Sequence, residues 1–315
     1  MSSDLVKQVF ENVRDFDLDD IFDCGQCFRW NKEADGSYSG VAEGAFANIS
    51  FRRNDERGDA KAGTVAIWSN HLTEAPSLRE KFWRNYLDLD RDYGAIKRLL
   101  STEDPVMRRA IKTSPGIRIL NQNKWETLIS FIISQNNNIP RIKSCIEQLC
   151  AEHGKRIGTR KGRIVCAFPS VERLSVLRED DLADCRLGYR ARYIAETARR
   201  IAYDGGAFLE TGEQMPSEKM EEYLLSLPGV GPKVANCVML FSMKKTEIFP
   251  IDVWVRRVMS KLYGMGEKNV SAMRDCAARN FGEYGGIAQQ YLFNYIRIAA
   301  RANPAQYERL LSDED

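Results

Sequence analysis

Histidine is nearly missing from this chain; the two present, His71 and His153, lie far apart. Cysteine is not scarce, but it is scattered: Cys24, Cys27, Cys145, Cys150, Cys166, Cys185, Cys237 and Cys276. The one close pair, Cys24-Gly25-Gln26-Cys27, lacks the second pair that a zinc site needs. An iron–sulfur loop would need clustered ligands as well. The sequence therefore predicts no metal and no cofactor. No apolar run reaches the length of a membrane span, and no secretion-type leader is recognisable. Together with cysteines in no disulfide-like pattern, this predicts an intracellular, reduced protein with no membrane association. A strong excess of basic charge is also lacking, since the net charge is only +2. A nucleic-acid partner would thus require a local basic surface, balanced by acid elsewhere.

What is present suffices for a sizeable core. Hydrophobic residues make up 43% of 315, enough for one large domain or two to three smaller ones. Residues 24–68 read as a small antiparallel sheet. "CFRW" (27–30) and "SYSGVA" (37–42) flank an Asp35-Gly36 hairpin signal, and "AFANISF" (45–51) and "TVAIW" (64–68) follow. The stretch "RRNDERGDAKAG" between the last two reads as a solvated loop. From about residue 76 the period becomes helical. Trp125, Leu128, Ile129, Ile132 and Ile133 form one stripe, and Ile142, Cys145, Ile146, Leu149 and Cys150 another. Ile194, Thr197, Ala198 and Ile201 form a third, and Val255, Val258, Met259 and Leu262 a fourth. All four are assigned to core packing. The class is α+β, with an N-terminal sheet domain over 1–110, a mostly helical body over 111–310 and an acidic tail at 311–315. The basic run "KRIGTRKGR" (155–163) reads as a solvated surface loop with non-specific attraction to phosphate at most.

The chemically informative stretch is "LPGVGPKVANC", 227–237. The helix predicted over 217–227 stops at Pro228, Gly229 permits the tight turn, and Pro232 suits the first position of the next helix. Unpartnered N–H groups at such a turn, here Gly229, Val230 and Gly231, can bind a phosphate oxygen without reading a base. This is a helix-hairpin-helix. Lys233 then falls at a helix start, where the dipole and dry neighbours (Val230, Val234, Ala235) disfavour an ammonium. A free amine there is a nucleophile. The alternative is a surface lysine that touches phosphate. In "IFPIDVWVRR", Asp252 either caps the next helix or faces a developing cation.

With "LPGVGPKVA" followed by "PIDVWVRR", the chain resembles the helix-hairpin-helix DNA glycosylases, and most closely the eukaryotic-type 8-oxoguanine DNA glycosylase branch. The resemblance runs from "FDCGQCFRW" to "AQQYLFNYIR". It implies a helix-hairpin-helix glycosylase body, duplex DNA containing 8-oxoguanine as partner, and a monomer acting in the cytoplasm and nucleoid, or in the nucleus. Lys233 would attack C1′ of the damaged nucleotide and displace the base, and Asp252 would assist. The resulting imine would lose the 3′ phosphate, so glycosylase and abasic-site lyase activities are both implied. The base would be flipped out into a pocket of Gly25, Cys237, Gln289 and Phe293. Asn136, Arg141 and Arg190 match residues that bind the orphaned cytosine, with Tyr189 as a wedge. One departure stands out: Trp254 occupies a position where animal members carry histidine, so an ionic phosphate contact there is in doubt. Two rival readings are a non-catalytic DNA-binding module and a glycosylase for another damaged base.

Overall fold

The computed structural model describes residues 5–54, 62–70 and 75–302, without the side chains at 207, 208 and 302. The expected tail at 311–315, His71 and residues 55–61 of the expected loop lie outside the described residues. The N-terminal part comprises β1 (Val6–Arg14), α1 (Leu18–Phe22), β2 (Asn31–Lys32), β3 (Tyr38–Ala42), β4 (Ala45–Arg53) and β5 (Ala62–Ser69). These strands form one antiparallel sheet in the order β1-β5-β4-β3-β2. The Asp35-Gly36 turn forms as expected, with Gly36 at φ +83° and its N–H on Glu33 O at 3.1 Å.

Three local expectations are corrected. β1 was not foreseen, and it supplies a sheet edge paired to β5. "CFRW" is not a strand; the ladder begins only at Asn31. Cys27–Trp30 is instead a buried connection, with Trp30 Nε1 donating to Tyr86 Oη at 2.8 Å. The basic run at 155–163 is not an irregular loop. It forms a hairpin, β6 (Arg156–Arg160) and β7 (Arg163–Cys166). Charge pairing makes this affordable: Glu33 meets Arg160 and Lys161, and Arg29 Nη2 donates to Cys166 O at 2.7 Å.

Helices dominate the rest. In order they are α2 (Pro76–Tyr86), α3 (Tyr93–Ser101), α4 (Pro105–Thr113), α5 (Lys124–Ile133), α6 (Ile139–His153), α7 (Val171–Ser175), α8 (Arg190–Tyr203), α9 (Ala207–Glu210), α10 (Ser217–Leu225), α11 (Pro232–Ser242), α12 (Val253–Leu262), α13 (Val270–Phe281) and α14 (Gly285–Ala302). Local signals fix many of their starts: Asn123, Asn138, Asp252 and Asn269 each cap a helix through the side chain. The second and third apolar stripes are buried throughout; in the first all but the partly buried Trp125 are buried, and in the fourth Val255, Val258 and Met259 are buried and Leu262 is partly buried. α11 is the central helix, buried from Val234 to Ser242. A helix apolar all round must be enclosed by others, and α5 and α10 pack against it. One apolar core fills the helical body and a second lies under the sheet. Tyr93, Ile96, Leu100 and Val106, from α3 and α4, belong to the first of these cores.

All eight cysteines are free and buried. Among the described residues there is no group of histidine, cysteine or carboxylate side chains that could hold a metal. None of the helices described is long and apolar enough to cross a membrane.

Candidate active site

The α10–α11 hairpin is built by its small residues. Gly229 has φ +74°, a conformation that disfavours a side chain by roughly 1–2 kcal/mol. A Cβ there would also lie 2.5 Å from the ring of Tyr193. The turn is braced from outside: Thr197 Oγ1 donates to Pro228 O at 2.9 Å, and Gln135 Nε2 to Gly229 O at 2.8 Å. The set of free amides differs from expectation in one member. The Val230 N–H donates to Leu227 O at 3.1 Å within the turn. Among the described residues, the Gly229 and Gly231 N–H groups have no such partner. We expect Gly229→Ala to destabilise the fold by about 2–4 kcal/mol, combining backbone strain with overpacking. Urea denaturation would measure this, and duplex affinity at low salt should fall with it.

Lys233 follows at the mouth of α11, half-buried. Its Nζ lies 4.9 Å from the ring centroid of Phe131 and 3.5 Å from Ser134 Oγ. Asp252 opens α12 and accepts the Val255 N–H on Oδ1 at 2.8 Å. Capping therefore occurs, and it also fixes the carboxylate beside the lysine. Both residues line one cavity, together with Gly25, Cys237, Gln289 and Phe293. Burial pushes the Asp252 carboxyl above the usual carboxylate range, against the opposing pull of the Val255 N–H and the Lys233 charge. Burial also raises the Cys237 thiol to about 11. At neutral pH Cys237 is thus an uncharged wall, neither a nucleophile nor a metal ligand.

The pocket wall formed by Gly25 is held by residues that the sequence reading did not single out. Gln290 Nε2 donates to Cys24 O at 2.6 Å. Gln26 is buried, donates to Ile21 O and Arg118 O, and accepts the Leu120 N–H. Both neighbours of Gly25 are therefore tied down, while its own carbonyl has no partner among the described residues. Gly25 has φ +82°. Opposite it, Gln289 is buried with Oε1 unpartnered among the described residues. Such an acceptor costs roughly 1–3 kcal/mol unless a ligand satisfies it. The cavity measures only about 40 Å³, less than a purine requires. Phe293 narrows it: its Cε1 would be 3.1 Å from a Cβ on Gly25. A base of purine size needs that ring to move away from the glycine.

Of the four residues expected at the opposite base, Asn136, Tyr189 and Arg190 meet where α6 and α8 begin, and Arg141 lies in the first turn of α6. Asn136 is exposed with φ +45°, and its Nδ2 lies 3.4 Å from Tyr189 Oη. Tyr189 is 49% exposed, as a wedge would need to be. Arg141 is exposed. Arg190 is different. It is buried, and its fork donates to the backbone oxygens of Gln135, Asn136 and Leu187, with its guanidinium 4.5 Å from the Tyr189 ring centroid. In this state it holds the Asn-rich turn, and four of its five N–H donors are engaged, leaving one Nη1–H without a partner among the described residues. Trp254 is partly buried, and the Arg257 guanidinium lies 5.3 Å from its ring centroid. A cation thus lies beside Trp254.

The chain is similar to known proteins over most of its length. Residues 8–128 match the 8-oxoguanine DNA glycosylase N-terminal domain, and residues 129–280 match the HhH-GPD superfamily of base excision DNA repair proteins. The N-glycosylase/DNA lyase of Saccharomyces cerevisiae is 43% identical over 270 residues, covering 80% of this chain and 69% of that protein. A probable N-glycosylase/DNA lyase of Methanothermobacter thermautotrophicus is 31% identical, covering 90% of this chain and 95% of that protein. Among solved structures, the Clostridium acetobutylicum 8-oxoguanine glycosylase/lyase bound to duplex DNA with cytosine opposite 8-oxoG superposes with a TM-score of 0.82. It is 39% identical, over 95% of this chain and 99% of that one.

Proposed function

The chain belongs to the 8-oxoguanine DNA glycosylase family of helix-hairpin-helix base excision repair proteins, and from that premise we propose the residue roles that follow. The protein excises 8-oxoguanine from duplex DNA and cleaves the strand at the resulting abasic site. The observation that carries the assignment of roles is the one cavity lined by Lys233, Asp252, Gly25, Cys237, Gln289 and Phe293, which come from four separated segments. A phosphate clamp alone has no use for such a pocket.

Phosphate oxygens bind the amides of Gly229 and Gly231 at the hairpin. The flipped base parts Phe293 from Gly25 and lies between Phe293 and Cys237. Gln289 meets its Watson–Crick edge, which supplies donors for the orphaned Oε1. The Gly25 carbonyl accepts the N7–H that 8-oxoguanine carries and guanine lacks. One such bond against a buried unpaired carbonyl is worth roughly 1–3 kcal/mol, or about 5- to 150-fold. Lys233 Nζ, as the free amine, bonds to C1′ while the C1′–N9 pair leaves with the base, which then takes up a proton. Asp252 stabilises the cationic sugar as that bond lengthens. Opening of the sugar ring gives the imine. Loss of a C2′ proton then expels the 3′ phosphate.

The test is incubation of the protein with an 8-oxoguanine:cytosine duplex and sodium borohydride. A covalent protein–DNA adduct is expected. Base release without trapping would point to a water-using glycosylase, and binding alone to a non-catalytic clamp.

Arg141, Asn136 and the remaining Nη1–H of Arg190 present donors to the O2 and N3 of the orphaned cytosine. We expect excision opposite cytosine to exceed that opposite the other three bases by about tenfold or more, with Arg141→Ala narrowing the gap. Equal rates in a matched duplex series would reject this arrangement. The protein acts as a monomer where its DNA lies, in the nucleoid or the nucleus. The domain boundary lies near residue 110, within α4, where α3 and α4 pack into the core of the helical body.

A further inference from the structure

Arg297 has no part in the chemistry above. It lies on α14 one turn beyond Phe293, on the same face. Its guanidinium carbon is 5.9 Å from the Phe293 ring centroid. Its Nη2 is 3.5 Å from Asp23 Oδ2, in the segment that leads to Gly25. The side chain is only 8% exposed, and among the described residues its Nε and Nη1 have no hydrogen-bond partner. A buried guanidinium with so few partners is a poor stabilising device, because an apolar residue of similar length usually serves the fold as well or better. Its placement, however, links the two pocket walls. One end faces the ring that covers the base, and the other faces the loop whose carbonyl reads it.

We propose that Arg297 is a positioning residue for substrate selection, fixing the spacing of Phe293 and the Gly25 loop through its charge. The inference rests on the assignment of the base pocket given above. A base inserted between these walls feels their spacing directly, whereas a pre-formed abasic site has no base to insert. The two activities of the enzyme should therefore separate in a variant. Arg297→Met keeps the length and removes the charge. Single-turnover excision from an 8-oxoguanine:cytosine duplex is expected to fall about tenfold, while cleavage of a duplex with a pre-formed abasic site keeps its wild-type rate. Arg297→Lys, which retains the cation, should restore most of the excision. An equal fall in both activities would mark Arg297 as merely structural and overturn the proposal. Unchanged excision in Arg297→Met, or Arg297→Lys as slow as Arg297→Met, would overturn it too. Wild-type protein run in parallel separates this inference from the one beneath it: absence of a trapped adduct there refutes the pocket assignment itself.

Discussion

Lys233→Gln should eliminate the borohydride-trapped adduct and slow base excision by at least about 10⁴-fold, the scale seen when a catalytic nucleophile is removed. Duplex affinity should survive, because the hairpin amides at Gly229 and Gly231 do not depend on that side chain. The reason lies in the site. Lys233 stands at the start of α11 on the cavity wall, with Asp252 on the same wall. Glutamine keeps much of the length and polarity but cannot form an imine. If Lys233→Gln still traps DNA, the nucleophile is another amine and the assignment is wrong. Filter binding to the intact duplex and gel analysis of the reduced complex measure the two halves of the expectation.

Asp252→Asn should lower excision by about 10²–10³-fold, the usual consequence of removing one charge from a preorganised site. Asparagine can still accept the Val255 N–H, so α12 keeps its cap and the loss would be electrostatic. The effect should also be visible in the pH profile. Burial raises the Asp252 carboxyl, so its protonated form persists to higher pH than for an exposed aspartate. Only the carboxylate can face the developing cation. Wild-type excision should therefore decline as pH falls through this raised value, and Asp252→Asn should lack that acid limb. A limb of unchanged position in the variant would assign it to a different group.

The hairpin was legible because its punctuation is local. Pro228, Gly229, Gly231 and Pro232 each act within a residue or two of themselves, and the structure places a turn and a helix start where they indicate. Asp252 was legible for the same reason. β1 was not, because "VKQVFENVR" buries only Phe10 and Val13 fully and so lacks a clean alternation. The β6–β7 hairpin looked solvated because its charges find partners, such as Glu33, that are remote in sequence. "CFRW" misled through an apolar run that fills the space between the two cores rather than pairing in a ladder. Gln290 and Arg297 carry no local signal at all. Their partners, Cys24 and Asp23, lie at the other end of the chain. Arg190 was placed near the expected base, but nothing in "LGYRARY" reveals that three of its donors are already engaged by the turn it faces.

The narrow cavity has a bearing on competition inside a cell. Free oxidised purines present the same edges as the base within a strand. They bring no phosphodiester chain to grip the hairpin, and so no anchorage to offset the work of prising Phe293 from Gly25. The enzyme should be poorly inhibited by its own excised product and blind to the metabolite pool, attending to damage only while it is still part of a strand.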